Sequence, residues 1–164
     1  MAFARIGEAA RAEGNLQKAR QYLQEGLKIW EEMGNRRDTP VLMVAIAEFD
    51  LRANNIAAAL PAFRAILPLA LEQDQPAAIY PAFIGIAACL QATHPHIAAQ
   101  LFGFVENRWQ AVSLTLPPNE SAIYNHYFPA AREQLQHNPQ SINLWHSGAT
   151  LNLEQASQLA IKGQ

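Results

Sequence analysis

The sequence contains a single cysteine, Cys89, among its 164 residues. One cysteine excludes a disulfide framework within the chain and is typical of proteins from a reducing compartment. Cys89 lies in an apolar run with no basic residue beside it, so we interpret it as a small buried side chain and not as a reactive thiol. We therefore expect a cytoplasmic protein whose fold needs no covalent cross-links.

Charged residues are also scarce, at 16% of the chain, and the formal net charge is −2. The largest basic cluster is the pair Arg36 and Arg37, so the sequence gives no reason to expect contact with nucleic acid. No apolar run reaches the about 20 residues that a membrane-spanning helix needs. Half of the residues are hydrophobic, which excludes a disordered tail and predicts one compact domain with a substantial core.

The short motifs of common enzyme chemistry are missing as well. The sequence has no Gly-x-x-x-x-Gly-Lys loop, Gly-x-Gly-x-x-Gly fingerprint, Gly-x-Ser-x-Gly elbow or His-Glu-x-x-His motif. Among five histidines only His94 and His96 are close in sequence, and without adjacent Cys, Asp or Glu they favour a turn over a metal site. We expect no catalytic residue, no cofactor and no metal.

What the sequence does contain is an internal repeat with a period of 40 residues over its first two thirds. Such a period, with two apolar segments per unit, is typical of stacked helical hairpins that share one core. Small residues in two of the columns predict where paired helices approach each other closely. The recurring columns are Phe3, Met43 and Phe83; Ile6, Ile46 and Ile86; Gly7, Ala47 and Ala87; and Ala19, Ala59 and Ala99.

Turn residues and prolines predict the helix boundaries. Asn152 with Gln155 predicts a capping box at the start of the last helix. Four prolines inside the expected helices predict kinks or later helix starts: Pro61, Pro68, Pro81 and Pro129. The first expected helix ends near residue 13, and the second and third span about 16–33 and 40–53. The fourth starts at 55, the fifth spans 76–93, and the sixth spans about 97–111 and is opened by Pro95. In the tail, helical elements are expected at about 119–136, 142–146 and 153–161.

The repeat columns resemble those of tetratricopeptide repeats, in a 40-residue form, over about residues 1–110. In the third unit Gly103 departs from the pattern, because Leu23 and Phe63 hold the equivalent positions. The resemblance implies an all-α fold, a right-handed α–α superhelix of three hairpins in residues 1–112, closed by C-terminal capping helices in residues 113–164. We expect Trp109 and Trp145 to hold this tail against the last hairpin.

The tail is similar to the extreme C-terminus of large bacterial multidomain regulators, which include predicted ATPases and LuxR-type transcriptional regulators. Such proteins carry an ATPase module ahead of a long tetratricopeptide array, so the resemblance implies that the chain is the last segment of a longer protein. The uncapped start at Met1 favours the same interpretation. The tail residues that carry the similarity are 98–103, 116–118, Arg132, Leu135, Trp145, Gly148 and 151–156.

Tetratricopeptide arrays bind partners along their first helices, on the concave face. Glu8 and Glu48 hold equivalent repeat positions there, and neighbouring arginines could pair with them or with a carboxylate of the partner. The mixture of charged and apolar residues suits a peptide or helix better than a nucleic acid, although an ordinary solvated surface is the alternative. The predicted partner-binding residues are Glu8, Arg11, Val44, Glu48, Arg52, Ile84, Ala88 and Gln91.

The sequence thus leaves three functions open. The first is a non-catalytic module for protein or peptide interaction within a larger bacterial signalling or transcriptional regulator, where the partner is another protein or a domain of the parent chain. The second is a free-standing scaffold, and the third is a small all-helical enzyme or metal protein that uses His94 and His96. Under the first two, we expect no direct contact with nucleic acid or membrane, and apolar surface at an open end of the array could pair two chains.

Overall fold

A computed structural model describes residues 16–34, 36–113, 122–136 and 138–163. Within these ranges the chain forms eight α-helices and no strand, which confirms the predicted all-α fold. The expected helix before residue 13 and the expected cap at Asn119 lie outside the described residues. The helices are α1 (Leu16–Glu32), α2 (Thr39–Arg52), α3 (Ile56–Glu72), α4 (Pro76–Leu90), α5 (Pro95–Ser113), α6 (Ala122–Gln136), α7 (Pro139–Ala149) and α8 (Leu153–Lys162).

Turn residues end the first three of these helices, and the sequence predicted the first two of these turns. Gly34, Asn54 and Asp74 follow α1, α2 and α3 and have φ angles of 69°, 57° and 48°. This left-handed conformation lets backbone N–H groups return to the last carbonyls of a helix. After α2, the N–H of Asn55 donates to the carbonyl of Asp50 at 2.8 Å. Each turn therefore reverses the chain and places the next helix against the previous one.

The four interior prolines lie inside helices that continue through them, so the expectation of later helix starts is wrong. Pro61 and Pro68 lie within α3, Pro81 within α4 and Pro129 within α6. Each proline removes one intrahelical hydrogen bond. Tertiary packing compensates, because most of the stability of a helix in a folded protein comes from burial of its apolar face.

Consecutive helices from α1 to α5 pack against one another, and α2 also packs against α4. The small residues of the repeat lie at these contacts, as predicted: Ala47 and Ala87 in the first helices of their units, and Ala59 and Ala99 in the second helices, are all buried. The predicted boundary between residues 112 and 113 falls at the end of α5.

Helix α4 is the centre of the core. Eleven of its fifteen residues are buried, because α2, α3, α5, α6 and α8 all pack around it. A helix that is covered on every side reads as apolar all round, which explains the nearly continuous apolar sequence from Ala78 to Leu90. Polar atoms without hydrogen-bond partners would cost free energy if they were buried on α4.

The tail helices begin with side-chain caps. Asn138 accepts hydrogen bonds from the N–H groups of Gln140 and Ser141, so α7 starts earlier and is longer than the element predicted at 142–146. At α8, Asn152 and Gln155 form the predicted capping box, with distances of 2.8 and 3.0 Å.

Arginine side chains tie the end of the tail to the hairpins. Arg64 of α3 donates to the carbonyls of Ala160 and Gly163 at the end of α8, at 3.0 and 2.6 Å. Arg108 of α5 donates to the carbonyl of Leu151, between α7 and α8, at 2.6 Å. The two bonds from Arg64 satisfy carbonyls at the end of α8 that lack an intrahelical partner.

Candidate partner-binding surface

Six of the eight predicted partner-binding residues lie on two neighbouring helices or at their ends. Val44, Glu48 and Arg52 belong to α2, Ile84 and Ala88 belong to α4, and Gln91 directly follows α4. Helices α2 and α4 pack side by side, so these residues lie on adjoining elements. Glu8 and Arg11 lie outside the described residues.

The two larger apolar members of the set, Val44 and Ile84, have little or no free surface. Ile84 is 0% exposed and Val44 is 6% exposed. In this arrangement a partner cannot touch Ile84, because neighbouring helices cover α4 on all sides. The accessible part of the predicted surface is therefore polar, and it consists of Glu48, Arg52 and Gln91 with the half-buried Ala88.

Glu48 and Arg52 form an ion pair one turn apart on α2. The Nε of Arg52 donates to Oε1 of Glu48 at 2.8 Å, and the two side chains are only 15% and 22% exposed. Partial burial means that removal of one partner would leave the other charge poorly solvated. The two residues therefore act as one unit, in which each charge orients the other.

A residue from the tail lies close to this pair. Tyr127 of α6 is half-buried, and burial raises the pKa of its phenol to about 12, with a further raising effect from Glu48 and an opposing one from Arg52. Electrostatic effects of this kind act at a distance, so Tyr127 lies in the vicinity of the pair. We call Glu48, Arg52 and Tyr127 the inner cluster.

Helix α6 also covers the inner side of α4. Gln91 donates a hydrogen bond to Oε1 of Gln134 at 2.6 Å, and α6 packs directly on α4. Sequence reasoning missed this coverage and expected an open face. The signal was present, since α4 has no polar stripe that an open face would require.

Cys89 lies under the same helix. Burial raises the pKa of its thiol to about 12, and the thiol is close enough to Tyr127 to affect the pKa of the phenol. A thiol with so high a pKa carries almost no thiolate at neutral pH and is a poor nucleophile. The structure thus confirms Cys89 as a buried side chain.

An aromatic cluster joins α6 to α5 and α7. The ring of Tyr124 stacks on Trp109 and on Phe128, with centroid distances of 4.0 Å in both cases. Phe102 stacks on Trp145 at 5.6 Å. Trp109 and Trp145 are both buried, which confirms the expectation that they hold the tail against the last hairpin.

A small cleft lies between α6 and α7. Its volume is about 180 Å³, below the roughly 300–1,000 Å³ of typical small-molecule sites. Arg132 at its edge forms an ion pair with Glu106, which also accepts a hydrogen bond from the indole of Trp145 at 2.7 Å. The cleft is lined by Arg132, Leu135, Ile142, Trp145 and His146.

The histidine pair has the surroundings of a turn. The ring centroids of His94 and His96 are 6.2 Å apart, and Nδ1 of His94 lies 2.9 Å from the hydroxyl of Thr93. No group of three or more His, Cys, Asp or Glu side chains that could hold a metal occurs within the ranges that the structure describes. The metal-protein alternative therefore has no third ligand in this part of the chain.

Two further findings concern membrane spanning and similarity to known proteins. None of the described helices combines the length and the apolar character that crossing a bilayer needs. No protein-family model, curated protein or solved structure matches the chain.

Proposed function

We propose that the chain is a non-catalytic helical-repeat module of the tetratricopeptide type, with a right-handed superhelical stack of hairpins that binds a protein or peptide on the inner side of its first helices. The observation that carries this proposal is the burial of Ala47 and Ala87 at equivalent repeat positions, with α2 and α4 stacked side by side. Equivalent small residues at equivalent contacts are what a repeat array needs to extend from one unit to the next.

The module functions as the C-terminal part of a larger cytoplasmic bacterial regulator. Support comes from the order of residues in the tail, which resembles such regulators, and from the firm attachment of that tail to the hairpins by Arg64 and Arg108. A free-standing scaffold would use the same surface. Sequencing of the native gene upstream of Met1 distinguishes the two.

The inner cluster is the part of this face that is best suited to recognition. Glu48 and Arg52 present a donor and an acceptor that are held in place by their own pairing. Pre-oriented polar groups give specificity with little loss of side-chain entropy on binding.

The test is selection of peptide binders from a displayed library against the purified chain, followed by a reversal of the charge pair. The variant Glu48→Arg with Arg52→Glu keeps an ion pair on α2 but exchanges its charges, so the fold is retained while the recognition pattern changes. The matched control is Lys28→Glu with Glu32→Lys, an exposed pair with the same spacing on α1, whose charged atoms lie 4.0 Å apart.

We expect enriched peptides to lose at least about tenfold in affinity for the α2 variant and to bind the α1 variant like the original chain. Circular dichroism should show the same helicity in all three proteins. If no peptide is enriched, or if both reversals change affinity equally, the inner cluster is not the recognition site and the proposal is wrong.

A further inference from the structure

Helix α6 already lies where a partner would bind. It packs on α4, and its Gln134 accepts a hydrogen bond from Gln91 at the end of α4. An amphipathic helix that lays its apolar face into a groove is a common mode of peptide recognition, and α6 has this form. Its buried or half-buried residues recur at helical spacing: Ile123, Tyr124, Tyr127, Phe128, Ala131 and Leu135.

The polar contacts that hold α6 in place are at the surface. Arg132, whose side chain is two-thirds exposed, pairs with Glu106 of α5, and the hydrogen bond between Gln91 and Gln134 is also exposed. Exposed pairs of this kind add little to stability. The attachment of α6 therefore depends on its rings and aliphatic side chains.

The sequence of α6 also makes it a weak helix on its own. Pro129 lies in the middle of its fifteen residues and is exposed. A proline at this position removes an intrahelical hydrogen bond, and a helix of this length is marginal in water even without one. The helical state of α6 thus depends on its being docked.

We propose that α6 is a built-in occupant of the surface of α4 and Gln91 that it covers, which we call the inner groove, and that the partner is an amphipathic helix that resembles α6 and displaces it. The proposal rests on the proposed function and specifies its ligand. The partner carries aromatic residues at the spacing of Tyr124 and Phe128, a small residue at that of Ala131 and an aliphatic one at that of Leu135. Only molecules in which α6 has left the groove can bind the partner. The apparent association constant is therefore the intrinsic one multiplied by the fraction of such molecules.

A reversible cross-link that holds α6 in the groove tests this directly. Because the side chains of Gln91 and Gln134 meet, Gln91→Cys with Gln134→Cys in a Cys89→Ala background gives two thiols within reach of a short bis-thiosulfonate reagent. The probe is a fluorescent peptide with the sequence of residues 122–136. We expect the cross-linked chain to bind the probe at least tenfold more weakly than the same chain after reduction. Cys89→Ala alone, treated with the same reagent, should not respond.

A variant in which α6 is attached less tightly should show the opposite change in affinity for the probe. Arg132→Ala removes the exposed pair with Glu106 but none of the aromatic contacts, so it should bind the probe about twofold to fivefold more tightly. A probe with alanine at the position of Tyr127 should bind more weakly to every form of the chain.

Two results would overturn the inference: equal binding by the cross-linked and reduced chains, or no binding of the probe to the reduced chain and to Arg132→Ala. The charge reversal on α2 separates this failure from failure of the proposed function. If library peptides respond to the reversal but not to the cross-link, the inner cluster binds partners and α6 is no competitor. If they do not respond to the reversal either, the proposed function fails too.

Discussion

Helices α6 and α7 follow the same hairpin and cover neighbouring parts of it, but they are attached in different ways. At α7 the contact is backbone against backbone. A Cβ atom at Gly103 of α5 would lie 1.9 Å from the carbonyl oxygen of Trp145, and one at Gly148 of α7 would lie 2.0 Å from that of Gln100. Only glycine on both helices allows this approach.

At α6 the contact is made by rings and long side chains. The rings of Tyr124 and Phe128 lie between the backbone of α6 and the aromatic side chains of α5. A backbone contact is lost as a whole when a single Cβ is inserted, whereas a side-chain contact weakens in steps. The comparison therefore indicates that α7 belongs to the rigid framework and that α6 can open separately.

The largest effect is expected from alanine at the two glycines of the α7 contact. Gly103→Ala or Gly148→Ala would force α5 and α7 apart, and we expect a loss of about 3 kcal/mol in the free energy of unfolding. For a chain of this size that corresponds to a decrease of roughly 6–12 °C in Tm. Thermal and urea unfolding monitored by circular dichroism measure it.

The sign of this change is informative, because alanine is the better helix former by about 1 kcal/mol. Stabilisation by Gly103→Ala would mean that the two backbones are not in contact. Gly34→Ala is the control, since nothing lies within 4 Å of a Cβ there and its φ of +69° is the only source of strain. We expect it to cost about 1 kcal/mol.

A smaller and more local effect is expected at the ring contact of α6. Tyr124→Ala removes the stacks on Trp109 and Phe128, which should cost about 2 kcal/mol. If α6 opens separately, its amides should exchange about 30-fold faster in hydrogen exchange under native conditions, while those of α7 keep their protection relative to global unfolding.

Leu144→Ala provides the matched control in α7, because Leu144 is also half-buried against the core. It should lower the stability of the whole molecule without singling out one helix. Equal loss of protection in α6 and α7 after Tyr124→Ala would show that the two helices open as one unit, and the comparison would then fail.

The repeat columns carried most of the fold that could be predicted from the sequence. Ala47, Ala87, Ala59 and Ala99 are buried because a repeated contact needs the same small volume in each unit. Gly103 interrupted the columns, and its reason is tertiary: it faces α7, an element that the other units do not have. A departure from the repeat therefore marked the attachment of the tail.

The position of α6 could not be read in the same way. Its contacts with α4 and Gln91 join residues far apart in sequence, such as Gln91 and Gln134, and no local pattern specifies which distant face a helix will cover. The charges of Glu48 and Arg52 suggested an open surface, yet the pair satisfies itself on one helix. In a sequence, charged residues that pair with each other cannot be distinguished from charged residues that are free to bind a partner.

The smallest expected effect is a loss of stability at alkaline pH that arises from a side chain of α6. The phenol of Tyr127 has its pKa raised from 10.0 to about 12, mainly by burial. A raised pKa in the folded state means that stability is complete below the unfolded value and declines as pH rises from about 10 towards 12. Tyr127→Phe should reduce this decline, measured as the free energy of urea unfolding between about pH 8 and about pH 11.

Cys89→Ala separates the contribution of the thiol, whose pKa is raised from 9.0 to about 12 and whose effect should therefore begin one unit lower. Helix α7 contains neither tyrosine nor cysteine, so α6 should lose its attachment first as pH rises. An unchanged slope in Tyr127→Phe would mean that the phenol ionises as freely in the folded chain as in the unfolded one. In that case Tyr127 is not buried in solution, and α6 does not cover the inner groove there.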